Sequence, residues 1–206
     1  GSADRSGRHR RLVHATGMSC APDTGADARR LDALYRAKAA AEIAEADALV
    51  KGATEVASSG DEMADVLLVK GEPGPTDREA RRVLAGPDGE AAEKALDALG
   101  LSRARYAMCS RVGGADEATR ARRLRLIVEA VDPRVIIALD SGSAADLAAA
   151  FEIDVPRPGV PVRVLGREVV AIDGLEASLA DERLKRRVWG QLQALRPGPE
   201  TKNGSP

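Results

Sequence analysis

Two short runs of the chain are apolar without interruption: residues 66–69 (VLLV) and residues 135–139 (VIIAL). Runs of this length that lack alternation read as strands buried on both faces, as in parallel sheets covered by helices. Elsewhere apolar residues recur every three or four positions, the helical period. That spacing predicts helices over residues 27–51 (through Leu31, Leu34, Tyr35, Ala39 and Ile43), 77–84, 89–99, 116–131, 143–151 and 179–195. Local punctuation sets the ends. Thr76 is placed to cap the second helix, and Ser141 or Ser143 the fifth. Gly100 stops the third, and Asp132-Pro133 stops the fourth. Residues 105–109 read as a short strand, and residues 162–165 and 168–172, flanking a Gly166-Arg167 turn, as a hairpin or as a strand with a short approach.

Strands alternating with helices predict an α/β fold. The expected form is a three-layer α/β/α sandwich with a central, mainly parallel four-stranded sheet. The domain is expected over residues 26–196. Residues 1–25 are polar, basic and aperiodic, so they read as a disordered arm; residues 197–206 read as a disordered tail.

Composition narrows this picture. A chain of 206 residues can bury a real core. Aromatics are 2% of it, so the core must come from Leu, Val, Ile and Ala. A formal net charge of -1 neither implies nor excludes nucleic acid. No apolar run is long enough to span a membrane, and the basic start lacks the apolar core of a signal peptide. Cys20 and Cys109 have no CxxC spacing. They read as free thiols in a reducing cytoplasm, with no metal site.

Residues 66–77, VLLVKGEPGPTD, carry the first strand into a Gly-Pro turn and then a helix. Loops at that position are where α/β proteins bind ligands. Neither GxGxxG nor GxxxxGK[ST] is present, so no nucleotide motif is supported.

The order of segments resembles the uracil-DNA glycosylase superfamily, specifically its iron–sulfur branch. Val69-Lys70-Gly71-Glu72-Pro73-Gly74 stands where that branch has V-G-E-A-P-G. Residues 83–89, VLAGPDG, stand where it has G-x-P-F-V-G-x-A-G. Leu99-Gly100-Leu101 and Arg105-Tyr106-Ala107-Met108-Cys109 follow. Asp132-Pro133-Arg134 and the apolar strand come next, and the last helix carries Leu184-Lys185-Arg186-Arg187-Val188-Trp189. The resemblance covers residues 31–195. It implies the same three-layer fold and a pocket formed by Gly71, Pro73, Gly74, Leu84, Tyr106 and Cys109.

Departures from the family pattern fall on the chemistry. Aligned without a gap on Pro73-Gly74, Gly71 occupies the position of the family's catalytic acid; a deletion would bring Glu72 into register in a loop one residue short. Leu84 replaces the aromatic that stacks on the flipped base. Cys109 replaces the asparagine that reads the uracil edge, and a thiol cannot make paired amide contacts. Asp173-Gly174-Leu175 stands where a His-Pro-Ser loop would stabilise the departing anion, which an aspartate repels. The four cluster cysteines correspond to Ala44, Asp47, Gly113 and Ala121, so no iron–sulfur cluster or other cofactor is expected.

Three functional expectations follow. The first is a catalytically inactive glycosylase-like domain acting through DNA or through a DNA-repair protein. Arg120, Arg123, Lys185 and Arg186, on two basic helices, would touch phosphates. The second is an active glycosylase with rewired chemistry, in which Glu72 or Asp173, with Asp77 nearby, orients water. The third is a protein-interaction module with no nucleic-acid role.

Overall fold

The computed structural model describes residues 24–101 and 104–195. Along the chain run α1 (Thr24–Ala48), β1 (Ser59–Gly60), β2 (Val66–Lys70), α2 (Pro75–Ala80), α3 (Pro87–Leu99) and β3 (Arg105–Cys109). Then come α4 (Glu117–Val131), β4 (Val135–Ala138), α5 (Ser141–Phe151), β5 (Val162–Val164), β6 (Arg167–Ala171), α6 (Leu175–Ser178) and α7 (Glu182–Leu192). The strands form one six-stranded sheet in the order β1-β3-β2-β4-β6-β5. Its four inner strands are parallel: β2 pairs with β3 and with β4, and β4 pairs with β6.

The uninterrupted apolar runs are the two central strands. All five residues of β2 and all four of β4 are buried, because helices cover both faces. On one face Val66, Leu68, Cys109, Ile137 and Val170 pack against α3, α6 and α7. On the other, Leu67, Val69, Met108, Ile136 and Val169 pack against α1, α4 and α5. This is the expected α/β/α layering, built from alternate residues of each strand.

The sheet has six strands rather than the four expected. The additions are short antiparallel edges. β1 is two residues long and pairs with β3; the sequence there reads only as a Ser-Ser-Gly turn. β5 is the outer arm of the expected hairpin and pairs with β6. The turn falls at Leu165-Gly166, one residue before the expected Gly166-Arg167, because Arg167 already pairs with Val164; it needs positive φ at both central residues, which Leu165 (48°) and Gly166 (84°) supply.

Several helix ends differ from expectation. The second helix stops at Ala80, where Arg81 turns left-handed with φ 53°. Val83 then donates to Ala57 O at 3.0 Å, which pulls the chain out of the helix. Gly74, not Thr76, is the residue that precedes this helix, and its N–H donates to the Asp77 carboxylate at 2.9 Å. Asp140, rather than either serine, caps α5 by accepting from Ser143 N at 2.8 Å. The expected last helix over residues 179–195 begins only at Glu182, because the Asp181 side chain accepts from Arg183 N and Leu184 N, and the short α6 precedes it outside the expected range.

In α1 only the later apolar residues are core. Ala39, Ile43 and Ala46 are buried, while Leu31, Leu34 and Tyr35 are 52%, 60% and 52% exposed. The expected arm and tail lie outside the described residues, apart from Thr24 and Gly25, which already belong to α1. No helix among the described residues is long and apolar enough to cross a membrane.

Candidate functional site

The inner strands set where a ligand site forms. From β2 the chain moves through α2 and α3 to β3 on one side. From β3 it crosses by α4 to β4 on the other side of β2. The loops leaving β2 and β4 therefore part, and a crevice opens at the carboxyl ends of these neighbouring strands. A cleft of about 570 Å³ lies there. Its walls include Lys70, Gly71 and Glu72 after β2, Asp140 and Gly142 after β4, and Asp173 and Glu176 after β6.

Gly71 faces Asp140 across this crevice. The Gly71 N–H donates to Asp140 Oδ2 at 2.8 Å. A Cβ on residue 71 would stand 2.7 Å from Asp140 Oδ1, so the carboxylate fills the space that a side chain at 71 would need. Both Asp140 oxygens are engaged, one by Gly71 N and the other by Ser143 N at the start of α5.

An ion cluster runs from the cleft wall, at Lys70, Asp88 and Glu176, into the interior at Asp77. Lys70 ends β2 with its side chain buried, and its Nζ lies 2.7 Å from Asp77 Oδ2, 2.7 Å from Asp88 Oδ2 and 2.8 Å from Glu176 Oε2. An ammonium has three hydrogens, and each has a carboxylate. Burial works against the Lys70 charge; the three carboxylates outweigh it and hold the pKa well above the usual lysine value. Burial likewise works to raise the Asp77 pKa, but Lys70 and the N–H groups of Gly74 and Ala85 outweigh it and hold the carboxyl below its ordinary value. A Cβ at Gly74 would stand 2.7 Å from an oxygen of the half-exposed Glu176, so a side chain there would need that carboxylate to shift from Lys70.

Of the three candidate acids, Glu72 and Asp173 line the cleft. Glu72 is exposed at its mouth. Asp173 is held towards α7, accepting from Gln191 Nε2 at 2.9 Å and Arg187 at 3.3 Å. Asp77 is buried and engaged by Lys70, Gly74 and Ala85, so it has no access to a water in the cleft.

Among the expected pocket residues, Gly71 and Leu84 line the cleft, the latter with a left-handed φ of 52°. Pro73 and Gly74 are buried in the turn. Cys109 packs in the apolar layer under α3, and burial, with Asp77 nearby, pushes its thiol up to about 12. Tyr106 lies on the opposite face of the sheet, paired with Leu67 at the start of β3, so it offers no ring to the cleft.

The arginines divide in the same way. Arg123 is buried against Asp47 and donates to Cys109 O at 2.8 Å, which removes it from any phosphate surface. Lys185 and Arg186 are exposed on α7. Arg120 lines a second groove of about 860 Å³ beside the cleft, together with Arg78, Arg81 and Arg111. Its Nη1 donates to Ala115 O, and its buried Nε has no partner among the described residues. Glu72 and Arg111 border both cavities. Asp146 steadies Arg111 at 2.8 Å and also accepts from the Ser110 hydroxyl at 2.6 Å.

Sequence reasoning missed Lys70, Asp88, Arg111, Asp140 and Glu176. A lysine ending an otherwise apolar strand, and an aspartate directly after the apolar run 135–139, were the available signals. No protein-family model matches the chain, and a search of curated proteins finds no match either.

Proposed function

We propose that this domain is a glycosylase-like binding protein that does no base excision and holds a DNA backbone along the groove bordered by Arg78, Arg81, Arg111 and Arg120. The contact between Gly71 and Asp140 carries the reading. The carboxylate at the strand end is committed to capping α5 and to the Gly71 N–H, so the position implied for the catalytic acid offers none. The remaining pocket chemistry agrees: the cleft has a leucine where a stacking ring is needed, and both Cys109 and Tyr106 lie outside it. The groove sets four arginines against the exposed Glu55, Glu72 and Glu79, and Arg111 is already paired with Asp146, so Arg78, Arg81 and Arg120 are left for weak phosphate contacts, which position a strand without reading its sequence. The reading needs no iron–sulfur cluster, since the chain has two cysteines and such a cluster takes four thiolates. A buried free thiol at Cys109 suits the reducing cytoplasm.

Fluorescence anisotropy with single-stranded DNA, with and without uracil, together with a base-release assay, tests this. Expected are salt-sensitive binding that ignores uracil, no released base, and weaker binding by Arg78→Ala/Arg81→Ala with a salt slope reduced by about 1 per lost contact. An absence of binding at low salt would remove the DNA role and leave a DNA-repair protein or another protein as partner.

Glu72 supports a second reading, because it is exposed at the mouth of the cleft beside Arg111. Base release that disappears in Glu72→Gln would establish an active enzyme with relocated chemistry.

A further inference from the structure

The first half of α1 presents apolar side chains, Leu31 and Leu34, that the described residues of its own domain do not cover. At 3.6 residues per turn, Leu31 and Leu34 point about a third of a turn away from the buried line of Ala39, Ile43 and Ala46. Continued towards the helix start, the buried line carries Asp32 and Arg36, which form an ion pair with each other at 3.0 Å. The exposed leucines are therefore not a frayed extension of the core stripe. They form a separate seam with Asp27 and Lys38, at the spacing of alternate coiled-coil core positions.

We propose that this seam pairs two copies of the chain through an antiparallel α1–α1 contact. The argument is self-complementarity under a two-fold axis. An axis that sets Leu31 of one copy against Leu34 of the other sets Asp27 against Lys38 as well, at both ends of the seam. A parallel pairing would instead place Asp27 on Asp27 and Lys38 on Lys38. Lys38 now pairs with Glu42 of its own helix at 2.7 Å, an exposed contact that can be shared at little cost. The contact spans only a few turns, so it lies at the low end of specific interfaces and depends on concentration.

Sedimentation velocity on the full chain, over about 1 to 200 µM, tests the proposal by mass action. A monomer–dimer equilibrium is expected. Leu34→Glu should abolish it while leaving helical circular dichroism unchanged, and the melting temperature unchanged at the low concentrations where the parent is also monomeric, because the side chain is exposed. Asp27→Lys and Lys38→Asp should each weaken the dimer at least tenfold, and the double charge swap should restore it. A monomer at every concentration overturns the proposal. So does a dimer that survives Leu34→Glu, or a double swap no better than the single ones, which would point to a different face or a different occupant.

Discussion

Asp140 Oδ1 lies where a Cβ on Gly71 would have to sit, 2.7 Å from its ideal position, while Oδ2 of the same carboxylate accepts the Gly71 N–H. The ends of β2 and β4 are thus joined by a contact that tolerates no side chain at residue 71. Gly71→Ala should lower stability by about 1–3 kcal/mol, through overpacking against a carboxylate that the α5 cap holds in place. Urea denaturation measures this, and a Gly71→Ala variant as stable as the parent would show that Asp140 moves freely.

Lys70→Met should cost about 3–5 kcal/mol at neutral pH, since it leaves Asp77 and Asp88 buried without their cation. Chemical denaturation checks it. A loss under about 1 kcal/mol would mean that water reaches this cluster.

The same cluster makes stability depend on acid. The folded pKa of Asp77 lies below its unfolded value, which is about 3.9. Between those two values the unfolded chain binds the extra proton, so stability rises with pH there. The contribution is complete above the unfolded value and is lost as pH falls through the folded one. Melting temperatures between about pH 5 and pH 2 should therefore fall more steeply for the parent than for Asp77→Asn.

Cys109 should resist alkylation in the native protein at about pH 8, because burial pushes its thiol up to about 12 and the strand leaves no approach. Peptide-level mass spectrometry after iodoacetamide treatment reads this directly: modification of Cys109 should appear only with denaturant.

The basic residues should separate by burial. Arg123→Ala should cost about 3–5 kcal/mol, because it strands Asp47 and the Cys109 carbonyl. Arg186→Ala, on the exposed face of α7, should fall within about 0.5 kcal/mol of the parent. Thermal and chemical melts of the two variants decide it.

The layers were legible in the sequence because both central strands carry an unbroken apolar run, 66–69 and 135–139, and the helices repeat at their own period. β1 was not, since two residues pairing with an edge leave no pattern to read. The caps were misplaced for a chemical reason. Serine and threonine are sound cap residues, yet Asp140 stands one position before the nearer serine and Asp181 stands inside the expected last helix, and these carboxylates hold the N–H groups. The exposed half of α1 shows the limit of periodicity, which gives the spacing of Leu31 and Leu34 but not whether anything lies opposite them. The candidate site was legible as a loop, and Gly71, Glu72, Leu84 and Asp173 all border the cleft. Its electrostatic centre was not. Lys70, Asp88 and Glu176 come from three separate segments, and a lysine at a strand end ordinarily reaches water.

The two antiparallel edge strands bear on how the protein behaves in a crowded solution. A four-stranded parallel ladder ending in bare β3 and β6 would expose rows of unpaired amides beside highly apolar segments, a template for runaway strand addition. β1 offers two residues and β5 three, the latter bearing Arg163 and the former bending at Gly60 with φ 124°. Each is too short to template a growing fibril, so the borders of the sheet guard against aggregation that its apolar interior would otherwise invite.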